Sequence, residues 1–348
     1  MFGIGVKQRV LTGIRPTGAL HLGHYVGALK QWVPLQNNYD CFFLIADVQA
    51  LTTHVDQPKL IETSVREVVL DWLAVGLDPK KPNVHFVMQS WVRELTELTM
   101  YLSMVTPFSW MESNPTIQSE RAALRGEVSA GFMTYPISQA ADILFVSPNP
   151  QASKKEILVP VGEDQIPHLR GTNKVARAFN SKYGPTFVEC APLVGEVGRL
   201  VGTDGQAKMS KSLDNAIYLG DSREALKKRV MSMFTDPKRV RADVPGTVEG
   251  NPVFIYHDAF NSNKGEVEDL KTRYRKGTVG DVEVKQKLFE ALDKFLSPIR
   301  EKREKASKSA DERGILEQGT GEAIKIAQET LERVRSAMHL DYPSLRRM

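Results

Sequence analysis

The stretch that decides the fold is Arg9-Val10-Leu11-Thr12-Gly13-Ile14-Arg15-Pro16-Thr17-Gly18-Ala19-Leu20-His21-Leu22-Gly23-His24. Its first four residues read as a short strand, and the Gly13 to Gly18 region reads as the turn that ends it. A helix follows. Leu22, Val26, Leu29 and Val33 recur at spacings of 4, 3 and 4, one apolar stripe, with Pro34 expected to end it. Phe42 to Ala46 is a continuous apolar run, the pattern of a strand covered on both faces. From Pro58 a second stripe runs through Ile61, Val65, Val68 and Trp72 and stops at Gly76, and Val84 to Met88 makes a third strand. Strand, helix, strand, helix, strand predicts an α/β fold with a doubly wound parallel sheet.

A further strand is expected over Glu156 to Val161, with a helix from about Asp164 to Phe179. Beyond about Asp221 the strand patterns stop. Ala225 to Phe234, Val282 to Phe295 and Gly321 to Met338 read as amphipathic helices rich in Lys, Arg and Glu, so the α/β half gives way to a helical half near residue 215. Charged helices of this kind are most often simply solvated faces.

The 348 residues allow roughly two domains, and the 41% hydrophobic and 25% charged content is that of a globular chain rather than a disordered or fibrous one. Two cysteines, Cys41 and Cys190, are too few for a disulfide framework or a four-thiolate metal site. No apolar run approaches a membrane span, and the start lacks the apolar stretch of a signal peptide, so a cytoplasmic protein is expected. The net charge of +4 is too small to establish a nucleic-acid partner.

Several signatures fail. Gly18 and Gly23 have P-loop spacing, but His24 and Tyr25 stand where Lys and Ser or Thr are required. No G-x-G-x-x-G, H-E-x-x-H, C-x-x-C or G-x-S-x-G occurs.

Two segments carry chemistry. The first is the loop from Thr12 to His24, at the carboxyl end of a strand, where open α/β sheets bind ligands. His21 and His24 are three apart and share a helix face; Gly23 between them has no Cβ to keep a flat base from the backbone. Two imidazoles beside helix N–H groups suit phosphate oxygens, although a glycine-rich turn with two surface histidines reads equally well. The second segment is Lys208-Met209-Ser210-Lys211-Ser212, on a loop introduced by Gly202 and Gly205 and expected on the opposite side of the sheet. Its ammoniums and hydroxyls suit the charge that develops on a leaving pyrophosphate. In isolation it would be an ordinary polar loop; paired with the first segment it is not.

His21-Leu22-Gly23-His24 and Lys208 to Ser212 resemble the two signatures of class I aminoacyl-tRNA synthetases, and their separation of about 187 residues resembles the compact subgroup for tyrosine and tryptophan. The resemblance spans most of the chain and is strongest over residues 9–212. It implies a Rossmann-like activation domain over residues 1–214, with a connecting insertion at about 92–150. Residues 215–348 are then a helical region that reads the tRNA anticodon, its last helix packing back on the catalytic domain. It also implies ATP as a substrate held by Arg15, Pro16, Thr17, Gly23, His24, Leu200, Lys208, Met209, Ser210, Lys211 and Ser212. Thr17, His21, His24, Lys208 and Lys211 take the catalytic roles. Mg²⁺ is expected with ATP, with no acidic cluster to mark a protein ligand for it.

Two more segments choose within the subgroup. In Thr134-Tyr135-Pro136-Ile137-Ser138-Gln139-Ala140-Ala141-Asp142-Ile143-Leu144, Pro136 suits the first turn of a helix, and Tyr135, Gln139 and Asp142 fall on one face. Asp142 sits among apolar neighbours, where an unpaired carboxylate costs several kcal/mol; a lone helical Asp more often faces solvent or caps a neighbour. The stretch resembles the tryptophanyl-tRNA synthetase pocket, whose aspartate receives the indole N–H, and Val159-Pro160-Val161-Gly162-Glu163-Asp164-Gln165 resembles its second pocket segment. The resemblance turns Gly162, Glu163 and Asp164 toward ATP, and Gln165 and Tyr135 toward the ammonium or carboxylate of tryptophan.

Arg15, His24 and Gln139 depart from the Gln, Asn and Met of many relatives; Arg15 and His24 follow another version of the family motif. Some relatives hold an iron–sulfur cluster on four cysteines; with two thiols neither such a cluster nor zinc is expected. Thr235-Asp236-Pro237-Lys238-Arg239-Val240-Arg241 resembles part of the tRNA-reading domain, its basic residues either contacting phosphates or forming a solvated turn. The implied partners are tRNA(Trp), L-tryptophan and a second copy of the chain, with no membrane. A nucleotidyltransferase acting on a small metabolite shares both signatures but lacks reason for the helical half and Asp142. A non-catalytic RNA-binding paralogue would not need His21, His24, Lys208 and Lys211 intact.

Overall fold

In the computed structural model of the chain the described residues are 7–123, 127–194, 200–207, 209–211, 213–236, 239, 241 and 243–342, leaving aside the side chains of Pro115, Ala123 and Asp164. Five strands form one parallel sheet: β1 (Arg9–Ile14), β2 (Asp40–Ile45), β3 (Val84–Met88), β4 (Ile157–Val161) and β5 (Cys190–Val194), in the order β3-β2-β1-β4-β5. Val10 faces Cys41 on one side and Leu158 on the other. The order reverses between β1 and β4, so the loops leaving their carboxyl ends part and open a crevice there.

Strand β2 explains the two-layered core. Phe42 and Phe43 are both buried, and the pleat sends them to opposite faces. Phe43 packs among Trp32, Trp72 and Phe86, with ring centroids 5.5, 6.1 and 6.2 Å away. Phe42 lies with Leu44, Val87 and Phe145 on the other face. β5 escaped the sequence reading because Cys190-Ala191-Pro192-Leu193-Val194 holds a proline, which a sheet tolerates at its edge, the position β5 occupies.

The helices differ from expectation in instructive ways. The segment after β1 is Leu22–His24, a π-helical turn over Tyr25–Leu29, then Lys30–Leu35, with Pro34 inside the last turn rather than ending the helix before it. Pro136 is likewise interior: the helix runs Ala130–Leu144 and starts at Ser129, whose hydroxyl accepts from the Phe132 N–H at 3.1 Å. That cap fixes the start about one turn earlier than the proline suggested. Residues 163–165 form a 3₁₀ turn, and the helix proper is Ile166–Tyr183. In the second half the helices are Arg223–Met231, Pro252–Phe260, Lys264–Lys276, Asp281–Ser309 and Glu312–Ala337, and among the described residues no strand lies beyond Val194. Pro298 is accommodated inside the long Asp281–Ser309 helix.

The two longest helices return to the sheet. Asp281–Ser309 lies along Pro58–Val75, and Glu312–Ala337 covers β3. Gly319 is required there: a Cβ would enter the Phe86 backbone carbonyl. The next residue, Thr320, accepts from the Met88 N–H through its hydroxyl at 3.0 Å, and Thr330 donates to the Phe145 carbonyl at 2.8 Å.

Arg239, for which a phosphate contact and a solvated turn were both open, fits neither: it is 5% exposed. Its guanidinium pairs with Asp281 at 3.0 Å, donates to the Val244 and Val279 carbonyls and stacks 4.0 Å from the Tyr274 ring. Packing has claimed every face of the group, so it is tied to Asp281 and Tyr274 of the helical half rather than meeting RNA. Arg241 is exposed beside Asp243, and Lys238 lies outside the described residues.

Candidate active site

The loop after β1 is built for close approach. Gly13 leaves room for the Leu44 carbonyl of β2, and Gly18 has a φ of +115°, where a side chain would be strained. The Thr17 N–H donates to the Arg15 carbonyl at 3.0 Å, closing a tight turn that leaves Arg15 exposed and Pro16 buried. His21 opens the helix with extended backbone, and its N–H donates to His24 Nδ1 at 3.2 Å. The two rings lie 3.8 Å apart, sharing one face as their spacing predicts.

The second signature does not stand across the sheet from the first; it meets it. The Lys211 ammonium donates to the Gly18 carbonyl at 2.6 Å, and the Gly23 N–H points to the Met209 sulfur at 3.3 Å. A Cβ on Gly23 would lie 2.9 Å from the His21 ring, so the space expected for a flat base is filled by His21 and Met209 in this arrangement. The loop's stem pairs with the same residues. His21 and Tyr218 form an antiparallel bridge; Leu22 N–H donates to Ile217 and Leu219 N–H to Leu20, at 2.9 and 3.0 Å. Crossing back over the crevice is what the sequence could not show, because it depends on residues 215–221 returning as a short ribbon.

Asn215 orders the loop's base. Its side-chain oxygen accepts from the Ser210 N–H at 2.7 Å, and its amide donates to Asp204 at 3.0 Å. Gly202 lies against that side chain. Leu200 is buried, its carbonyl accepting from the Met209 N–H at 3.4 Å. Lys208 and Ser212 lie outside the described residues. Burial pushes the Lys211 pKa down to about 8, while Asp71 supports the charged form.

Asp142 is 3% exposed. Gln89 donates to both its oxygens, at 2.9 and 2.8 Å, and Gln49 donates to Oδ2 at 2.7 Å. A carboxylate offers about four acceptor sites, so three amide bonds leave one, on Oδ1. Burial pushes its pKa up to about 7; the two glutamines pull it down and the charge of Asp47 adds to the rise. Gln49 and Gln89 escaped the sequence reading, yet each stands just past the carboxyl end of a strand, β2 and β3, where the ligand-binding rule would have pointed to them.

Tyr135 packs between Phe132 and His168, with ring centroids 5.6 and 5.8 Å away. Burial and nearby Glu120 raise its pKa, and the field of Arg15 lowers it. Gln139 lies half-buried between Tyr135 and Asp142 on that helix. After β4, Gly162 begins the turn, its carbonyl accepting from the Gln165 N–H at 3.0 Å; Glu163 is exposed and Gln165 half-buried. The Asp164 side chain lies outside the described residues.

A parallel sheet with two signature segments locked at its switch point is the architecture of a class I aminoacyl-tRNA synthetase. The sequence profile of tRNA synthetases class I (W and Y) matches residues 5–297, and the chain belongs to this family. Among its relatives are the tryptophan–tRNA ligases of Chlamydia caviae, 46% identical over 342 residues (96% of each chain), and Clostridium longisporum, 46% identical over 345 residues (97% of this chain and 98% of that one). The tryptophanyl-tRNA synthetase of Campylobacter jejuni, solved with ADP and tryptophan, superposes with a TM-score of 0.82 at 34% identity, over 96% of this chain and all of that one. Within the family the chain groups with the tryptophan–tRNA ligases.

Proposed function

We propose that the cleft activates L-tryptophan with ATP and passes it to the 3′ end of tRNA(Trp). A carboxylate oxygen of tryptophan attacks the α-phosphorus of ATP; the bond to the β-phosphate breaks, leaving tryptophanyl-adenylate and pyrophosphate. The ribose hydroxyl of the terminal adenosine then displaces AMP. Thr17, His21 and His24 steady the phosphates, Lys208 and Lys211 balance the charge gathering on pyrophosphate, and no side chain acts as a covalent nucleophile. Arg15, Pro16, Gly23, Leu200, Met209, Ser210, Ser212, Gly162, Glu163 and Asp164 frame ATP. Gln165 and Tyr135 hold the α-ammonium and carboxylate, and Gln139 borders the indole.

The observation that carries this reading is Asp142: a buried carboxylate, held by three hydrogen bonds from the amides of Gln49 and Gln89, with one acceptor site left. Such a site rejects a ring lacking the N–H donor by roughly 10⁴–10⁵, because the acceptor would be left unpaired. Mg²⁺ accompanies ATP in this reading. Among the described residues no three His, Cys, Asp or Glu side chains gather to hold a metal, so no step is assigned to one.

The same reading makes residues 1–214 the activation domain, with an insertion at about 92–150, and residues 215–348 the tRNA-binding region. Dimerisation is supported by exposed apolar side chains on neighbouring elements around that insertion, among them Val48, Leu51, Trp91, Met100, Met104 and Phe108. A cytoplasmic setting fits the activity, and among the described residues no helix is long and apolar enough to cross a membrane. The test is ATP–pyrophosphate exchange with each of the twenty amino acids presented separately, followed by charging of tRNA. Exchange with tryptophan alone supports the assignment; exchange with none, or with another amino acid, overturns it.

A further inference from the structure

Asp71 sits at the meeting point of three parts of the chain. It lies in the Pro58–Val75 helix, fully buried, and neither signature contains it. Its Oδ2 accepts from the Leu20 N–H at 2.9 Å, the backbone immediately before His21. Its Oδ1 accepts from Arg303 Nε at 2.7 Å, and the same guanidinium pairs with Glu67. Arg303 reaches in from the Asp281–Ser309 helix of the helical half, and it passes over Gly220, where a Cβ would meet its Nε at 3.2 Å. Gly220 follows Leu219 and Tyr218, which bridge to Leu20 and His21. One guanidinium thus touches the ribbon that closes the lysine loop and the carboxylate beneath the histidine loop.

A buried carboxylate that loses its cation draws another or takes up a proton. Lys211 is close enough for the charge of Asp71 to act on it, and its ammonium rests on the carbonyl of Gly18, two residues before Leu20.

We propose that Arg303 is a positioning residue for adenylate formation: by neutralising Asp71 it fixes the backbone that presents His21 and leaves the Lys211 ammonium to exchange Gly18 for the phosphates of ATP. Without Arg303 the carboxylate of Asp71 captures Lys211 and withholds it from the leaving group. The inference rests on the activity proposed above and adds that the helical half sets the charge balance of the activation site through one side chain. Neither residue is among those assigned to tryptophan above, so the defect is expected in kcat.

The test compares tryptophan-dependent ATP–pyrophosphate exchange in the wild type, Arg303→Ala, Arg303→Lys and Asp71→Asn/Arg303→Ala, with folding monitored by circular dichroism. Exchange by the wild type checks the underlying activity, so loss of that reading is seen separately. Arg303→Ala is expected to lower kcat by about tenfold or more with KM for tryptophan within about twofold, the signature of lost transition-state stabilisation. Arg303→Lys retains the charge and recovers most of the rate. The double variant removes the stranded charge while its amide oxygen still accepts from the Leu20 N–H, and it also recovers most of the rate. Should Arg303→Ala not fold, Arg303→Gln, which keeps the stem over Gly220, takes its place with the same expectations. An unchanged kcat in the single variant, a rise confined to KM, or a double variant no better than the single one overturns the proposal.

Discussion

The ammonium of Lys211 rests on the carbonyl of Gly18, 2.6 Å away, so the lysine loop and the histidine loop are in contact through the group that the reaction must move. The resting contact is a single neutral acceptor, weaker than a triphosphate. Replacing Lys211 by Ala is expected to slow tryptophan-dependent pyrophosphate exchange by about 10²–10³, the cost of losing one donor aimed at developing charge. KM for tryptophan stays close to its wild-type value. Normal exchange by this variant removes the loop from the chemistry.

Burial lowers the Lys211 pKa to about 8, so the charged form is lost as pH rises through that value. Exchange by the wild type is therefore expected to decline above about pH 8. The decline moves to higher pH in Lys211→Arg, because a guanidinium keeps its charge. The pH profiles of kcat/KM for ATP in the two proteins, which report groups of the free enzyme, check this, and coincident profiles assign the decline to another group.

Asp142 carries the opposite sign. Its pKa is raised to about 7, and the charged form is the better acceptor for an indole N–H. KM for tryptophan is expected to fall as pH rises through 7 in the wild type and to stay flat in Asp142→Asn. Stability runs the other way: the folded state binds this proton more tightly than the unfolded chain, so the group's contribution is full below about pH 4 and is lost as pH climbs to 7. Urea midpoints of Asp142→Asn relative to wild type should accordingly rise between pH 5 and pH 8. A constant difference shows that the carboxyl does not titrate in that interval.

Much of this site could be read from residue types and spacing, and the omissions have physical causes. The strand–turn–helix at Arg9 to His24 was legible because apolar period and turn glycines agree over a short local stretch. Gln49 and Gln89 were not, since an amide beside a strand end carries no pattern of its own; only the fold aims both at Asp142. Asp71 and Arg303 lie 232 residues apart and meet through packing of two helices. Pro34 and Pro136 misled because a capped or well-packed helix absorbs one missing hydrogen bond. Arg239 misled because charge alone does not reveal burial.

Arg239 therefore yields a stability prediction. Arg239→Ala strands Asp281 in a largely enclosed position and is expected to cost about 3–5 kcal/mol by urea unfolding. Arg241→Ala, at an exposed pair, should change stability by less than about 1 kcal/mol. Equal, small effects would return Arg239 to the surface.

Gly319→Ala tests how the last helix seats on the sheet. The new methyl enters the Phe86 carbonyl, and overpacking of this kind costs about 1–3 kcal/mol. Urea denaturation with unchanged stability shows that the helix stands off from β3.

The central claim is that Asp142 accepts the indole N–H. It is tested most directly by comparing kcat/KM in pyrophosphate exchange for tryptophan and for its benzothienyl analogue, in which sulfur replaces the N–H at nearly the same shape. The account predicts a preference for tryptophan on the order of 10⁴ in the wild type, collapsing to about tenfold or less in Asp142→Ala. Equal use of the two amino acids by the wild type, or a preference that survives Asp142→Ala, contradicts it.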